Sequence, residues 1–275
     1  MAKARVERYY DKHASQYSPG EFSPSNLAGD LYFANMITWH FFRKYVPKRK
    51  SCLILEAGAG TGDWPILFAK LGYRNFVLAD ISQGMLKQAE RKVAELSGRV
   101  NVRYVKADIA DMKPLDSNMF DYVFSQFDAV SLSLRPQQAM RELARVAKRH
   151  AYVIVTVDTK YTRVPDLIEA GRLREAAQLL KSNISYEYDD WHDFRFPSYN
   201  LTWEELAGYF EKAGLEVVEV IGAPVFMHHV NARVQKRLRM NPKRRATLLR
   251  IELENCTNRS LVNLAGHLQM VGRKS

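Results

Sequence analysis

The sequence ILEAGAGTGDW, from Ile54 to Trp64, carries the strongest structural signal of the chain. A short apolar run ends at Glu56, glycines follow at alternate positions, and a second apolar segment begins at Asp63. This order is typical of a buried strand, a tight turn and a helix. Glycine is needed where the backbone adopts unusual dihedral angles or lies directly against a ligand. The stretch therefore predicts a ligand-binding turn at the end of a strand.

The spacing of the glycines argues against a dinucleotide site. A dinucleotide-binding turn reads GxGxxG and would have its third glycine at position 63, where this chain has Asp63. Gly58, Gly60 and Gly62 instead form the pattern GxGxG. That spacing suits a ligand without a pyrophosphate group.

Strands and helices alternate on the carboxyl side of this turn. After CLILEAG, apolar runs predict four more strands, RNFVLADIS, VRYVKADI, MFDYVFSQF and HAYVIVTVD, with amphipathic helices between them. EVVEVIG and GHLQMVGRK are predicted as the sixth and seventh strands. The alternation predicts an α/β fold with a seven-stranded, mostly parallel, Rossmann-like sheet.

Two segments stand apart from this alternation. Residues 1–50 are predicted to be helical, and the apolar stretch Leu31–Tyr45 is expected to be substantially buried. Residues 159–200 interrupt the pattern after the fifth strand, with one predicted helix at Pro165–Lys181 and a loop rich in aromatic residues. The next helix begins at LTWEEL, where Thr202 and Glu205 have the spacing of a capping box.

A net charge of +11 is concentrated in two clusters, Arg43–Lys50 and Arg233–Arg245. Such clusters favour an anionic partner such as nucleic acid, phospholipid or a phosphorylated substrate. The alternative is solvated helix faces, which we favour because neither cluster carries a recognisable nucleic-acid-binding motif.

The two cysteines, Cys52 and Cys256, are far apart and belong to no CxxC pair. We expect both to be small buried apolar residues, and a reducing cytoplasm as the compartment. Because no run of about 18 apolar residues occurs, we expect no transmembrane segment.

The glycine turn and the motifs after it resemble those of a known family. EAGAGTGD is similar to motif I of class I S-adenosylmethionine-dependent methyltransferases, which usually reads E/DxGxGxG. VLADIS with GML, VKADI, MFDYVFSQF and RELARVAKRHAYVIV resemble the later motifs of the ubiquinone/menaquinone-biosynthesis-like methyltransferase-domain family, in the same order. The resemblance extends from about Tyr9 to Asp158. One departure is His150-Ala151, where the family often has Gly-Gly, so we expect a different turn there.

The resemblance implies S-adenosylmethionine as cofactor and S-adenosylhomocysteine as product. Asp80, at the end of the second strand, is positioned to accept hydrogen bonds from both ribose hydroxyls. The family assigns Asp108 to the adenine amino group and the backbone of Ile109 to a ring nitrogen. The remaining implied cofactor residues are Ile81 and Met85 on the adenine faces, Glu56 near the methionine ammonium, Gln126 and Phe127 along the methionine arm, the turn glycines Gly58, Gly60 and Gly62, and Tyr10 and Tyr17 in an opening helix that folds over the cofactor.

The resemblance also implies a single methyltransferase domain. Its expected parts are an N-terminal helical lid over 1–50, a cofactor-binding core over 51–158, a helical and aromatic substrate cap over 159–200, and the C-terminal part of the core over 201–275.

Methyl transfer is an in-line displacement that depends mainly on alignment and exclusion of water, although an oxygen or nitrogen acceptor can need a base. Candidate bases are His192 and Tyr199 in the aromatic insertion and His229 after the sixth strand. The aromatic insertion is expected either to cap the substrate or to form a satellite core under a long loop. Asp189, Asp190, His192 and Asp193 could suggest a metal site, but a solvated acidic loop is favoured and no metal is expected.

Three functions are therefore open at this point. The leading one is a methyltransferase for a small-molecule acceptor. The second is a methyltransferase that acts on RNA or another anionic macromolecule, and the third is a regulatory protein that binds the cofactor without catalysis. The substrate, the accepting atom and the oligomeric state are not predicted.

Overall fold

The computed structural model describes residues 2–17, 26–27, 31–96, 100–189 and 194–275. The strands are β1 (Leu53–Ala57), β2 (Asn75–Asp80), β3 (Asn101–Lys106), β4 (Phe120–Ser125), β5 (Ala147–Asp158), β6 (Ile184–Asp189), β7 (Phe194–Tyr199), β8 (Leu215–Ala223) and β9 (His267–Lys274). The helices are α1 (Ala2–His13), α2 (Tyr32–Tyr45), α3 (Asp63–Lys70), α4 (Gln83–Ala94), α5 (Ala129–Leu132), α6 (Pro136–Val146), α7 (Lys160–Glu169), α8 (Leu173–Ser182), α9 (Trp203–Lys212), α10 (Ala232–Met240) and α11 (Pro242–Asn255).

The predicted fold is confirmed: seven strands form one sheet in the order β3-β2-β1-β4-β5-β9-β8. All neighbouring pairs from β3 to β5 are parallel, and β9 runs antiparallel to both β5 and β8. The sheet is apolar on both faces because helices cover both. Along β1, Leu55 belongs to one buried core and Ile54 to the other, as alternation in a strand requires.

Helix α2 is buried along most of its length, as its apolar sequence predicts. Ile37, Phe41 and Phe42 pack into the core that also contains Trp64 and Phe68 of α3. This packing holds the N-terminal region against the glycine turn. Cys52 and Cys256 are both fully buried free thiols, which agrees with their interpretation as small apolar residues.

The boundary between α6 and β5 differs from the prediction. The helix ends at Val146, and residues 147–149, predicted to be helical, already belong to β5. His150 lies within β5 with φ of 65°, where the register of β4 against β5 shifts. The expected different turn is therefore a strand irregularity in which His150 adopts the left-handed conformation that glycine favours.

The insertion after β5 contains more regular structure than the sequence predicted. The predicted helix Pro165–Lys181 is two helices, α7 and α8, because the chain reverses through Gly171 with φ of 71°. The aromatic segment is an antiparallel hairpin, β6–β7, and not a loop. Phe196 and Ser198 are buried, whereas Arg195 is exposed. This alternation has the two-residue period of a strand, which the interpretation as a loop misses.

Hydrogen bonds attach the insertion to the sheet. The Thr162 hydroxyl donates to the Ala265 carbonyl at 2.7 Å, and the Ser198 hydroxyl donates to the Asp158 carboxylate at the end of β5. The capping box predicted at the start of α9 is present, with Thr202 and Glu205 bonded reciprocally. The hairpin therefore has a defined position over the end of the sheet.

The second basic cluster lies on α10 and α11, where most of its side chains are exposed. Within the described part of the chain, no helix has both the length and the hydrophobicity needed to span a bilayer.

Candidate active site

A cavity of about 480 Å³ opens at the carboxyl ends of the parallel strands. This is the edge where open α/β sheets bind ligands. Every residue predicted to contact the cofactor contributes to its lining: Tyr10, Tyr17, Glu56, Gly58, Gly60, Gly62, Asp80, Ile81, Met85, Asp108, Ile109, Gln126 and Phe127. These residues come from the ends of several strands, from the glycine turn and from the N-terminal helix. The structure thus brings them together around one cavity.

The glycine turn has left-handed backbone at all three alternate positions. Gly58, Gly60 and Gly62 have φ of 75°, 51° and 73°. A Cβ atom on Gly58 would lie 2.3 Å from the Cβ of Ala129, so that glycine is required for packing. At Gly60, by contrast, no atom of the described residues other than its chain neighbours lies within 4 Å of the Cβ position. The space beside Gly60 is open to a ligand.

Asp80 lies at the end of β2 and is buried against the glycine turn. Its carboxylate accepts hydrogen bonds from Gly60 N at 2.8 Å and from Ser82 N at 2.8 Å. Burial outweighs these bonds and raises the pKa of Asp80 to about 6. Each carboxylate oxygen retains a lone pair, so Asp80 can accept further hydrogen bonds from a ligand.

Glu56, at the end of β1, is 3% exposed. Its Oε2 atom has no hydrogen-bond partner among the residues that the structure describes. Burial, with the nearby carboxyl groups of Asp63 and Asp80, raises the pKa of Glu56 well above its ordinary value. Lys92 neutralises Asp63 through a 2.7 Å ion pair and leaves Glu56 as a buried acceptor facing the cavity.

Asp108 follows β3 and is held on both sides. Its carboxylate accepts a hydrogen bond from Ala110 N at 2.9 Å and pairs with Arg135 Nη2 at 2.5 Å. Arg135 is a partner that the sequence did not indicate, because it stands in a different loop before α6. The pair fixes the orientation of Asp108 in the cavity wall, next to Ile109.

The loop after β4 has strained backbone. Phe127 and Asp128 have φ of 51° and 70°, an uncommon conformation for two consecutive residues other than glycine. Gln126, just before them, is fixed by a short hydrogen bond from the Thr156 hydroxyl. Backbone strain of this kind is concentrated at functional sites because the surrounding structure must maintain it.

Helix α1 and the β6–β7 hairpin meet over the cavity. The ring of Phe196 lies 5.1 Å from that of Tyr9 and 6.3 Å from that of Tyr10, and Tyr10 lies 6.0 Å from Tyr17. Burial raises the pKa of Tyr10 well above its ordinary value, so it is a neutral wall residue. The cavity is therefore roofed by aromatic side chains from two elements distant in sequence.

A group of ionisable residues in the cavity wall was not predicted to belong to the site, and it comprises Asp128, Asp158, Glu187 and His267. His267 Nδ1 lies 3.3 Å from Asp128 Oδ2, and His267 is the register partner of Asp158 across β5 and β9. Asp158 and Asp128 did carry a weak signal, since Asp158 ends one predicted strand and Asp128 directly follows another. His267 carried none, because it begins the antiparallel strand.

Comparison with known proteins gives the same assignment as the motifs. Residues 54–150 match the model of a methyltransferase domain. The ubiquinone/menaquinone biosynthesis C-methyltransferase UbiE of Blochmanniella pennsylvanica is 36% identical over 110 residues, which is 38% of this chain and 41% of that protein. UbiE of Idiomarina loihiensis is 29% identical over 191 residues, or 66% of this chain and 74% of that protein.

The matched domain and the ordered motifs support a class I S-adenosylmethionine-dependent methyltransferase. The alignment spans less than half the length of the first of these curated relatives. Solved structures resemble this methyltransferase over its whole length. The magnesium protoporphyrin IX methyltransferase of Synechocystis, with bound S-adenosylhomocysteine, has a TM-score of 0.61 at 14% identity and covers 100% of both chains. The [4+2]-cyclase SpnF has a TM-score of 0.62 at 15% identity and covers 100% of this chain and 97% of its own. At these identities the likeness concerns the fold alone.

Two of the predicted bases, Tyr199 and His229, do not line the cavity. Tyr199 is absent from its lining and packs against the core, where burial and then a hydrogen bond with Tyr209 raise the pKa of Tyr199 to about 12. His229 is exposed on a short 3-10 helix and contacts the Leu264 carbonyl at 2.8 Å. The neighbouring His228 is exposed as well.

Phe196 of β7 lines the cavity, whereas Tyr199, three positions further along the strand, does not. His192, with Asp190 and Asp193, lies outside the described residues, as does most of the acidic loop considered for a metal.

Proposed function

We propose that this chain transfers the methyl group of S-adenosylmethionine to a small-molecule acceptor bound in the same cavity. The cofactor supplies a methyl group on a positively charged sulfur. The observation that carries the proposal is the open space beside Gly60, bordered by the buried acceptors Asp80 and Glu56. These groups match a ligand with a diol at one position and an ammonium at another.

The cofactor would be held as the sequence predicts. Asp80 binds the ribose hydroxyls, and Glu56 accepts a hydrogen bond from the ammonium group. Asp108 and the Ile109 backbone bind the adenine edge, and Ile81 and Met85 pack on its faces. Gln126 and Phe127 line the methionine arm, and Tyr10 and Tyr17 exclude water from above.

The acceptor would occupy the part of the cavity bounded by Tyr9, Phe196, Glu187 and His267. In this proposal residues 159–200 act as the substrate cap, since the hairpin contributes walls that cofactor binding does not need. An enclosed, aromatic-lined space suits a small molecule better than a polynucleotide. The names of the curated relatives, C-methyltransferases of quinone biosynthesis, also favour a small acceptor.

Calorimetry with S-adenosylhomocysteine and with NAD tests the cofactor part. We expect binding of the sulfur ligand and no heat with NAD, because the turn lacks the third glycine of a pyrophosphate site. A saturating ligand at a hundred times its Kd should stabilise the fold by about 2.7 kcal/mol, which a thermal shift would report. Binding of NAD alone would contradict the proposal.

A metabolite screen with methyl-labelled cofactor tests the transfer. We expect label in a compound small enough for the cavity. Label found only in RNA or protein would favour a macromolecular acceptor. Tight cofactor binding with no transfer to any pool would favour the non-catalytic alternative.

A further inference from the structure

The acid–histidine cluster, formed by Asp128, Asp158 and His267, lies in the cavity and is not among the residues that the proposed function assigns to the cofactor. One imidazole nitrogen of His267 and one carboxylate oxygen from each of Asp128 and Asp158 all lie within 4.8 Å of one another. Pairing of β5 with β9 places His267 beside Asp158, and Asp128 approaches His267 Nδ1 at 3.3 Å. Three separate parts of the chain therefore converge on one imidazole.

The cluster lies at the methionine end of the cavity. Phe127 meets the His267 ring edge-on, with centroids 5.7 Å apart. Because Phe127 lines the proposed methionine arm, His267 stands at the end of the cavity where the methyl group would emerge. Phe196 and Tyr9 supply flat apolar walls on the same side.

We propose that His267 is the general base of this methyltransferase and that its acceptor is an aromatic hydroxyl compound. The inference rests on the proposed function. In the step, the hydroxyl proton passes to His267 Nε2 while an oxygen lone pair forms the bond to the methyl carbon. The bond between that carbon and sulfur breaks, and its electron pair remains on sulfur. Asp128, whose Oδ2 lies 3.3 Å from Nδ1, is a positioning residue whose negative charge stabilises the imidazolium formed.

The partners of the nearby carboxylates argue for a hydroxyl acceptor and not for a cationic amine. Glu187 is already paired with Arg163, with the closest atoms 3.4 Å apart, and Asp158 accepts the Ser198 hydroxyl. Both carboxyl groups are therefore already occupied by partners from the protein itself. An ammonium group also has no lone pair with which to attack, so a pocket that stabilises it would slow the reaction.

Charged and titratable groups face His267 from every element packed around it. Burial lowers the pKa of His267, but Asp128, then Asp158 and Glu187, raise it above its ordinary value overall. The groups around the imidazole or its carboxylate partners are Tyr10 on α1, Asp128 before α5, Asp158 on β5, Arg163 and Asp166 on α7, Glu187 on β6 and His228 before α10.

Histidine NMR provides a readout that does not depend on turnover. In 15N-labelled protein with S-adenosylhomocysteine bound, the signal lost in His267→Gln identifies His267. We expect Asp128→Asn to lower the measured pKa of that histidine by at least about half a unit, since the largest favourable charge on the imidazolium is removed. The control His40→Gln, at an exposed position on α2, should leave the His267 signal in place. An unchanged titration in Asp128→Asn would overturn the positioning role.

Phenols of graded acidity test the base itself. With unsubstituted phenol and small alkylphenols as probes, we expect His267→Gln to lower kcat by about 10²- to 10⁴-fold near neutral pH. With 4-nitrophenol, which ionises without help, the loss should shrink to less than about tenfold. An equal loss on both probes would show that His267 has only a structural role. Matched anilines are neutral near this pH and attack through a free lone pair, so any transfer to them should not depend on His267.

Failure of this inference can be separated from failure of the proposed function. If S-adenosylhomocysteine does not bind the wild-type protein, the proposed function fails. If it binds with the same affinity to wild type and His267→Gln, but no phenol is methylated, only the inference fails. If EDTA abolishes transfer and Mg²⁺ or Zn²⁺ restores it, the cluster is a metal site and the general-base role is wrong.

Discussion

Asp80 is a buried carboxylate in the cavity wall, and its burial makes ionisation of the carboxyl group less favourable. It is 8% exposed and accepts two backbone N–H groups, which favour the charged form. Burial opposes them and dominates, so the pKa rises to about 6. The residue is thus ionised at neutral pH and loses its charge in mild acid.

Replacing Asp80 should therefore weaken binding of the cofactor and leave the fold intact. We expect Asp80→Ala to reduce S-adenosylhomocysteine affinity by about 2–4 kcal/mol, since a charged acceptor of two hydrogen bonds is lost. Calorimetry against a folded variant, verified by circular dichroism, measures this. An unchanged Kd would mean that Asp80 only closes the glycine turn.

The raised pKa of Asp80 also predicts a pH dependence. Ribose hydroxyls donate to the ionised carboxylate, so wild-type affinity should be constant above about pH 7 and fall by about tenfold at about pH 5, one unit below the pKa. In Asp80→Asn, which cannot ionise, this dependence should disappear. A wild-type Kd that is flat across this range would contradict the assignment.

Gly60 offers a second residue-scale test with a matched control. Gly60 and Gly171 both have positive φ and open space at the Cβ position, but only Gly60 borders the cavity. Alanine at either position should cost the fold about 1–2 kcal/mol of backbone strain. Only Gly60→Ala should also weaken S-adenosylhomocysteine binding, by about tenfold or more. Equal binding in both variants would show that no ligand lies against the turn.

At the scale of the element, helix α1 is attached to the start of α4 through one side chain. Asp11 Oδ1 accepts hydrogen bonds from the Ser82 hydroxyl at 2.7 Å and from Gly84 N at 2.8 Å. Burial alone would raise the pKa of Asp11, but these bonds lower it overall. Because the folded pKa is depressed, the attachment is fully formed at neutral pH and is lost as pH falls through that value.

Removing this attachment should loosen the roof of the cavity. We expect Asp11→Ala to speed hydrogen exchange in α1 and to weaken S-adenosylhomocysteine binding by roughly fivefold, which corresponds to about 1 kcal/mol for the lost bonds. Glu7→Ala, which removes only the surface ion pair with Lys106, should change the Kd by less than about twofold. Equal effects in the two variants would show that Asp11 has no special role.

At the scale of the whole molecule, the net charge of +11 is separate from the cavity chemistry. The cavity wall carries several carboxyl groups, whereas exposed basic residues of α10 and α11 are absent from the lining: Arg233, Lys236, Arg237, Lys243 and Arg244. A basic outer face can bind polyanions such as nucleic acids whatever their nucleotide sequence. Such binding would not by itself identify the acceptor.

Reversing the charge of this basic face tests whether polyanion binding is independent of the chemistry in the cavity. We expect the double variant Arg237→Glu, Arg244→Glu to bind RNA more weakly and with a smaller salt dependence, while S-adenosylhomocysteine affinity and transfer to phenols stay within about twofold of wild type. Fluorescence anisotropy across a salt series provides the measurement. Transfer of label to RNA that the double variant loses would instead support the macromolecular acceptor.

The sequence by itself determined the sheet, the glycine turn and the cavity-lining residues from Tyr10 to Phe127. Hydrophobic period, turn chemistry and the order of strand ends are local properties, and parallel strands bring their carboxyl ends to one edge whatever the length of the loops. Asp80 and Asp108 are therefore expected at the same edge from their positions in the chain. The hairpin was missed because its aromatic residues obscure the period-two alternation.

Only the tertiary structure decided which further groups complete the cavity wall. His267 reaches the cavity because β9 inserts antiparallel between β5 and β8, a pairing between distant segments that no local pattern encodes. Tyr199 and His229 had suitable chemistry in suitable segments, but strand pleat and chain direction turn them elsewhere. A side chain one position along a strand points to the opposite face, so the choice between neighbouring residues depends on long-range register.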